Sequence, residues 1–138
     1  HIESDLARVD RKTKMAFFWM KNSNKFVESK QGTLFIQSRK QEATYDSASS
    51  ALEYMVATQD VLIREMDKVK SENGLKYATS QKAEFLARED KILLSEFPSA
   101  YQEHDTLTGD LIVVYRNKNL VEVLEANAFH EAPPKRKL

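Results

Sequence analysis

An α+β domain is the fold this sequence predicts, and three observations lead there. Apolar residues near the start and through the middle recur at helical spacing, while aromatic and β-branched residues gather in short runs. Gly and Pro, three of each in 138 residues, leave little room for long loops. The expected architecture is a short N-terminal helix, a three-stranded antiparallel meander, two long antiparallel helices packed on that sheet, and a C-terminal β-hairpin.

Ile2, Leu6, Val9, Thr13 and Ala16 follow one another at helical steps, which predicts an amphipathic helix over residues 3–13. The same spacing reaches Met20, so a longer first helix is the competing expectation. From Lys14 the aromatic run changes the signal, and strands are expected over residues 14–20, 25–29 and 33–38. Lys21-Asn22-Ser23-Asn24 and Lys30-Gln31-Gly32 supply the turns, with Gly32 at a left-handed position. Alternation along the first strand puts Ala16, Phe18 and Met20 on one face and Met15, Phe17 and Trp19 on the other.

Asp46 or Ser47 is positioned to cap a helix, and Ser50 with Glu53 has the form of a capping box. Ala48, Leu52, Met55, Gln59, Leu62, Met66 and Val69 then make a heptad-like stripe that ends at Asn73-Gly74. Such a helix spans ~40 Å at 1.5 Å per residue. A second helix is expected from Thr79 or Ser80 to Pro98, with Ala83, Leu86, Leu93 and Phe97 on its apolar side. Leu111–Tyr115 and Leu120–Leu124, either side of Asn117-Lys118-Asn119, form the hairpin; Asn119 with Glu122 offers a helix over residues 120–130 as the alternative. Residues 1–131 thus read as one domain and residues 132–138 as a basic tail.

Net charge is zero, yet it is unevenly distributed. Residues 1–41 carry nine basic and four acidic side chains, residues 42–110 seven and fourteen, and residues 111–138 five and three. Such asymmetry steers an anion to one side or lets two copies meet through opposite charges. No apolar run approaches the ~18 residues of a membrane-spanning helix, so no membrane partner is expected. The absence of Cys fits a reducing compartment. An intracellular, cytoplasmic location is therefore expected, with the nucleus as an alternative because Lys135-Arg136-Lys137 resembles a short import patch.

Nothing in the chain spells out a reaction. His1, His104 and His130 are scattered without metal-ligand spacing, no phosphate-binding glycine loop occurs, and no G-x-S-x-G elbow surrounds a serine. No cofactor, metal or catalytic set is expected. The leading expectation is a non-catalytic protein-interaction module, self-associating through an aromatic sheet face or the long helix. The first alternative is a single-stranded nucleic-acid binder: Phe17 and Trp19 would stack on bases while Lys14, Lys21, Lys25, Lys30, Arg39 and Lys40 track the backbone. The second is a metal-dependent nuclease, because Asp10 followed by Glu28-Ser29-Lys30 resembles the Asp…Glu-x-Lys arrangement that holds Mg²⁺ and orients a water.

Overall fold

The structure, a computed structural model, describes residues 2–20, 25–46, 48–49, 51–125 and 136–137. Among these residues fourteen strands join in one antiparallel network, and the single α-helix has six residues. In chain order the elements are β1 (Ile2–Glu3), β2 (Leu6–Asp10), β3 (Met15–Trp19), β4 (Val27–Gln31), β5 (Leu34–Ser38), β6 (Lys40–Tyr45) and β7 (Leu52–Glu65). They continue as α1 (Lys68–Asn73), β8 (Tyr77–Leu86), β9 (Lys91–Ser95), β10 (Ser99–Tyr101), β11 (Thr106–Thr108), β12 (Leu111–Tyr115), β13 (Leu120–Leu124) and β14 (Arg136–Lys137).

The two longest strands determine the shape. The first part of β7, through Thr58, pairs with β6, whereas Leu62 to Glu65 pair with β5. Its partner β8 divides the same way: Lys82 to Leu86 pair with β9, and Tyr77 to Thr79 pair with β10. Between the halves, Gln59 and Asp60 take left-handed φ values of 68° and 53°, and the β7–β8 register shifts there. Neighbouring strands turn at the same level. Arg39 separates β5 from β6, and Glu96 and Phe97, at φ 59° and 62°, separate β9 from β10.

A folded sheet results. One half holds β1, β4, β5, the end of β7, the start of β8, β10 and β11; the other holds β2, β3, β6, the start of β7, the end of β8, β9, β12, β13 and β14. A single core cluster lies between them, combining Leu34 and Ile36 of the first half with Met55, Ile92, Leu94 and Ile112 of the second. Gln41 on β6 crosses the interior, its Nε2 donating to the carbonyls of Val27 and Ile36 at 3.2 and 3.4 Å. Buried amide groups of this kind persist only where they are hydrogen-bonded.

The α+β expectation is therefore corrected to an almost entirely antiparallel β fold. Residues 3–13 form β1 and β2, with Asp10 organising the turn into β3 by accepting from the N–H groups of Lys12 and Thr13. The three-stranded meander is replaced as well, because β3 pairs with β2 and β6, whereas β4 pairs with β1 and β5. Gly32 does occupy the left-handed position of the β4–β5 turn, at φ 61°.

Both long helices are absent, and the physical reason is shared. Residues 52–65 and 77–95 are rich in Ala, Leu, Met, Lys and Glu, whose local preference is helical, but ladder pairing on both sides overrides it. Met66 and Val69, on the expected helical stripe, are 59% and 66% exposed. Phe97, expected on the second stripe, is 90% exposed. Leu111–Tyr115 and Leu120–Leu124 are paired as a hairpin. Of the expected tail, Arg136 and Lys137 pair with β13, and the rest lies outside the described residues.

Candidate functional site

The inner face of the larger half-sheet is a continuous apolar trough. Register places Val9, Ala16, Ala43, Met55, Phe85, Ile92, Val114 and Val121 in one row across β2, β3, β6, β7, β8, β9, β12 and β13. The row runs perpendicular to the strands and contains no polar side chain. A second row, from Ala7 and Phe18 to Ile112 and Val123, includes Gln41 as its one polar member. Most of the trough is covered by the other half-sheet. At the β2 end the cover stops: Val9 is 68% exposed, and Phe18 and Tyr45 pack on the core while only half-buried.

That uncovered end is a cleft of about 320 Å³, lined by Val9, Met15, Ala16, Phe18 and Tyr45, with Arg11 and Lys14 beside Asp10 and Asp46. Both carboxyls are held below their ordinary range by N–H groups of the turns they cap, Thr13 and Lys12 for Asp10, Ala48 and Ser49 for Asp46. An apolar cleft with mixed charge at its mouth suits an amphiphile, since apolar chains seek the cleft and ionic groups stay in water.

Opposite the fold line, the free margins of the two half-sheets meet. Here Arg116, just after β12, donates through Nη2 to Glu65 Oε1 at 2.9 Å and to the Thr33 hydroxyl at 3.1 Å, and through Nη1 to Asp90 Oδ1 at 3.2 Å. The side chains of Arg116 and Glu65 are only 9% and 5% exposed. Burial pushes the Glu65 carboxyl upward, but the Thr33 hydroxyl, the Arg116 guanidinium and the Asp67 N–H outweigh it and leave it below the ordinary value.

At its two ends the network has open strand edges. Among the described residues β1 pairs only with β4 and β2 only with β3, while β11 pairs only with β10 and β14 only with β13. Unpaired edges offer backbone groups to another chain.

The residues singled out from sequence are dispersed by this fold. Phe17 and Trp19 face outward on β3, where Arg8 lies 5.5 Å over the Phe17 ring; with Arg8, Phe18, Lys40, Gln41 and Glu42 they line an open groove of about 360 Å³ at the sheet margin. Lys14 sits in the β2–β3 turn, Lys25 precedes β4, and Lys30 is on β4 of the other half-sheet. Arg39 is at the fold line, paired with Asp60 at 3.3 Å and placed 4.1 Å over the Phe26 ring. Lys21 lies outside the described residues. The nuclease set is not assembled: Asp10 caps a turn of one half-sheet, Glu28 and Lys30 belong to the other, and the described residues hold no acidic or histidine cluster fit for a metal. Sequence reasoning missed Val9, Phe18, Glu65 and Arg116 as site residues. Alternation in β3 was the one signal that separated Phe18 from Phe17.

Comparison with known proteins agrees with this architecture. Residues 1–120 match the family described as LptA/(LptD N-terminal domain) LPS transport protein. A search among curated proteins gives no match. Among solved structures, the chain resembles LptH, described as the LptA-homologous periplasmic component of the conserved lipopolysaccharide transport device of Pseudomonas aeruginosa. The TM-score is 0.76 at 16% identity, over 100% of this chain and 92% of that one. At that identity the likeness speaks for the fold.

These findings overturn the intracellular expectation, whether cytoplasmic or nuclear, and with it the nucleic-acid and nuclease readings. A chain that buries a full sandwich core needs no disulfide in any compartment, so the missing Cys carried no information about location. A protein partner, by contrast, fits a family with a member that is a component of a larger device.

Proposed function

The chain belongs to the LptA and LptD N-terminal-domain family of LPS transport proteins, and on that premise we propose that it is a non-catalytic periplasmic carrier of lipopolysaccharide. Its trough receives the acyl chains, and its open edges pair with other proteins of the transport device. The observation that carries this reading is the unbroken apolar row from Val9 to Val121, which crosses eight strands and reaches solvent at Val9. A soluble domain ordinarily ends such a row under a polar edge.

Self-association belongs to the same proposal. A second copy presents the same edges, and strand addition between β2 of one copy and the β13–β14 end of another would extend the trough from domain to domain.

Replacing Phe18 with a photoreactive benzoylphenylalanine tests the lipid path against the outward face. Irradiation with lipopolysaccharide should attach it at position 18 and not at position 93, on the outer face of β9. Equal attachment at both, or none at 18, would remove the trough from consideration.

A further inference from the structure

The apolar interior behind Arg116 is closed as it stands. Leu34, Ile92, Val114 and Val121 line a cavity there of about 10 Å³, which holds no more than a water and excludes an acyl chain. What closes it is ionic. Arg116 belongs to one half-sheet, Glu65 and Thr33 to the other, so their contacts join the two margins directly.

Resting on the carrier reading above, we infer that Arg116 is a ligand-binding gate: its guanidinium exchanges Glu65 and Asp90 for a phosphate group of the incoming amphiphile, and that exchange parts the margins. Three features carry the inference. Arg116 Nε is buried and has no hydrogen-bond partner, so the guanidinium has donor capacity that its present contacts leave unused. A phosphate accepts from Nε and Nη together, in the forked geometry that guanidinium fits. Lys70 of α1 lines the same cavity and adds a second cation.

The carboxylates given up are not left stranded. Glu65 Oε2 already accepts from the Thr33 hydroxyl at 2.6 Å and the Asp67 N–H at 3.3 Å, and these bonds do not depend on Arg116. Asp90 is 37% exposed and returns to water. The usual obstacle to breaking a buried pair, an anion left without partners, is thus largely removed. A neutral amphiphile has nothing to offer Arg116 and leaves the margins shut.

Equilibrium binding of the full chain to lipopolysaccharide, and to the same material stripped of phosphate, tests the exchange. Glu65→Gln removes the buried carboxylate that competes for Arg116 and should tighten binding of the phosphorylated form about tenfold, on the order of one charge-assisted hydrogen bond. Arg116→Gln should weaken it about tenfold while leaving the stripped form no worse bound. If both variants shift both ligands alike, Arg116 only holds the fold together and the inference fails. If the wild-type chain binds neither ligand, the carrier reading falls first and takes this one with it.

A lock supplies a second, independent measurement. A Cβ placed on Gly74 would lie 3.4 Å from Asn119 Cβ, just inside the usual disulfide spacing, and 3.2 Å from the Lys70 carbonyl oxygen, so a shift of a few tenths of an ångström accommodates a bridge between the two margins. In Gly74→Cys/Asn119→Cys, in a chain with no other Cys, oxidation should reduce binding of the phosphorylated form to the level of the stripped form, and reductant should restore the difference. An undiminished preference for the phosphorylated form in the oxidised lock would overturn the gate.

Discussion

Asp60 and Gln81 grip each other twice across the fold line: the Asp60 N–H donates to Gln81 Oε1 at 3.2 Å, and Gln81 Nε2 donates back to Asp60 Oδ1 at 3.3 Å. Arg39 Nε adds a third bond, to Asp60 Oδ2, at 3.3 Å. Backbone bonds from Arg39 to Gln59 and from Gln81 to Glu96 continue the seam, so four bends are held at one level. That alignment makes one sheet into two facing halves.

Asp60 combines these contacts with a left-handed backbone, and its replacement separates the two roles. Asp60→Ala loses the side-chain bonds and places Ala where it is strained, which should cost ~1–2 kcal/mol. Asp60→Asn keeps most bonds and is at ease in that conformation, so it should cost ~0.5 kcal/mol or less. Urea denaturation of both variants checks the difference; a loss in Asp60→Ala no larger than the ~0.5 kcal/mol of Asp60→Asn would show that the seam contacts contribute little.

Glu65 makes stability depend on acid in a definite direction. Its folded-state carboxyl lies below the ordinary 4.5, so the unfolded chain takes up the proton first. The stabilisation is fully present above pH 4.5 and is lost as the pH falls through the lower, folded value. Stability of the wild type measured from pH 6 downward should therefore fall more steeply than that of Glu65→Gln. Parallel curves would rule out Glu65 as a contributor.

Leu93 and Leu94 distinguish strand from helix in solution. A helical stripe through Ala83 and Leu86 would bury Leu93, whereas the structure buries Leu94 completely and leaves Leu93 half-buried on the outer face. Leu94→Ala should cost ~2–5 kcal/mol and Leu93→Ala ~1 kcal/mol, as read by thermal unfolding. The reverse order would contradict the fold.

Val9 is where the trough reaches an open edge, and a charge there should act on association. Val9→Lys points a cation into the apolar row at the β2 margin, a device that blocks strand addition. Sedimentation of the wild type should show concentration-dependent self-association, and the variant should require about tenfold more protein to reach the same degree. A wild type that stays monomeric throughout would refute self-pairing at this edge.

Parts of this design are legible in the residues. Gly32 between two alternating runs marks a hairpin, and the valines of Leu111–Tyr115 and Leu120–Leu124 mark another, because turn chemistry and β-branching act within a few residues. Alternation in β3 separates Phe18 from Phe17 for the same reason. Residues 52–65 defeat such reading. Val61, Leu62 and Ile63 are continuous, Gln59 and Asp60 break the alternation, and helix-forming residues surround them.

Sequence by itself therefore determined local turns and the face alternation of short strands. Tertiary structure decided that β7 and β8 are strands at all, since their ladders come from partners far along the chain. It also decided which apolar residues join into a trough and that Arg116 meets Glu65, fifty-one positions away. Periodicity reports how a segment sees its own neighbours. Which face is buried, and against what, is fixed only when distant strands pair and the sheet folds over on itself.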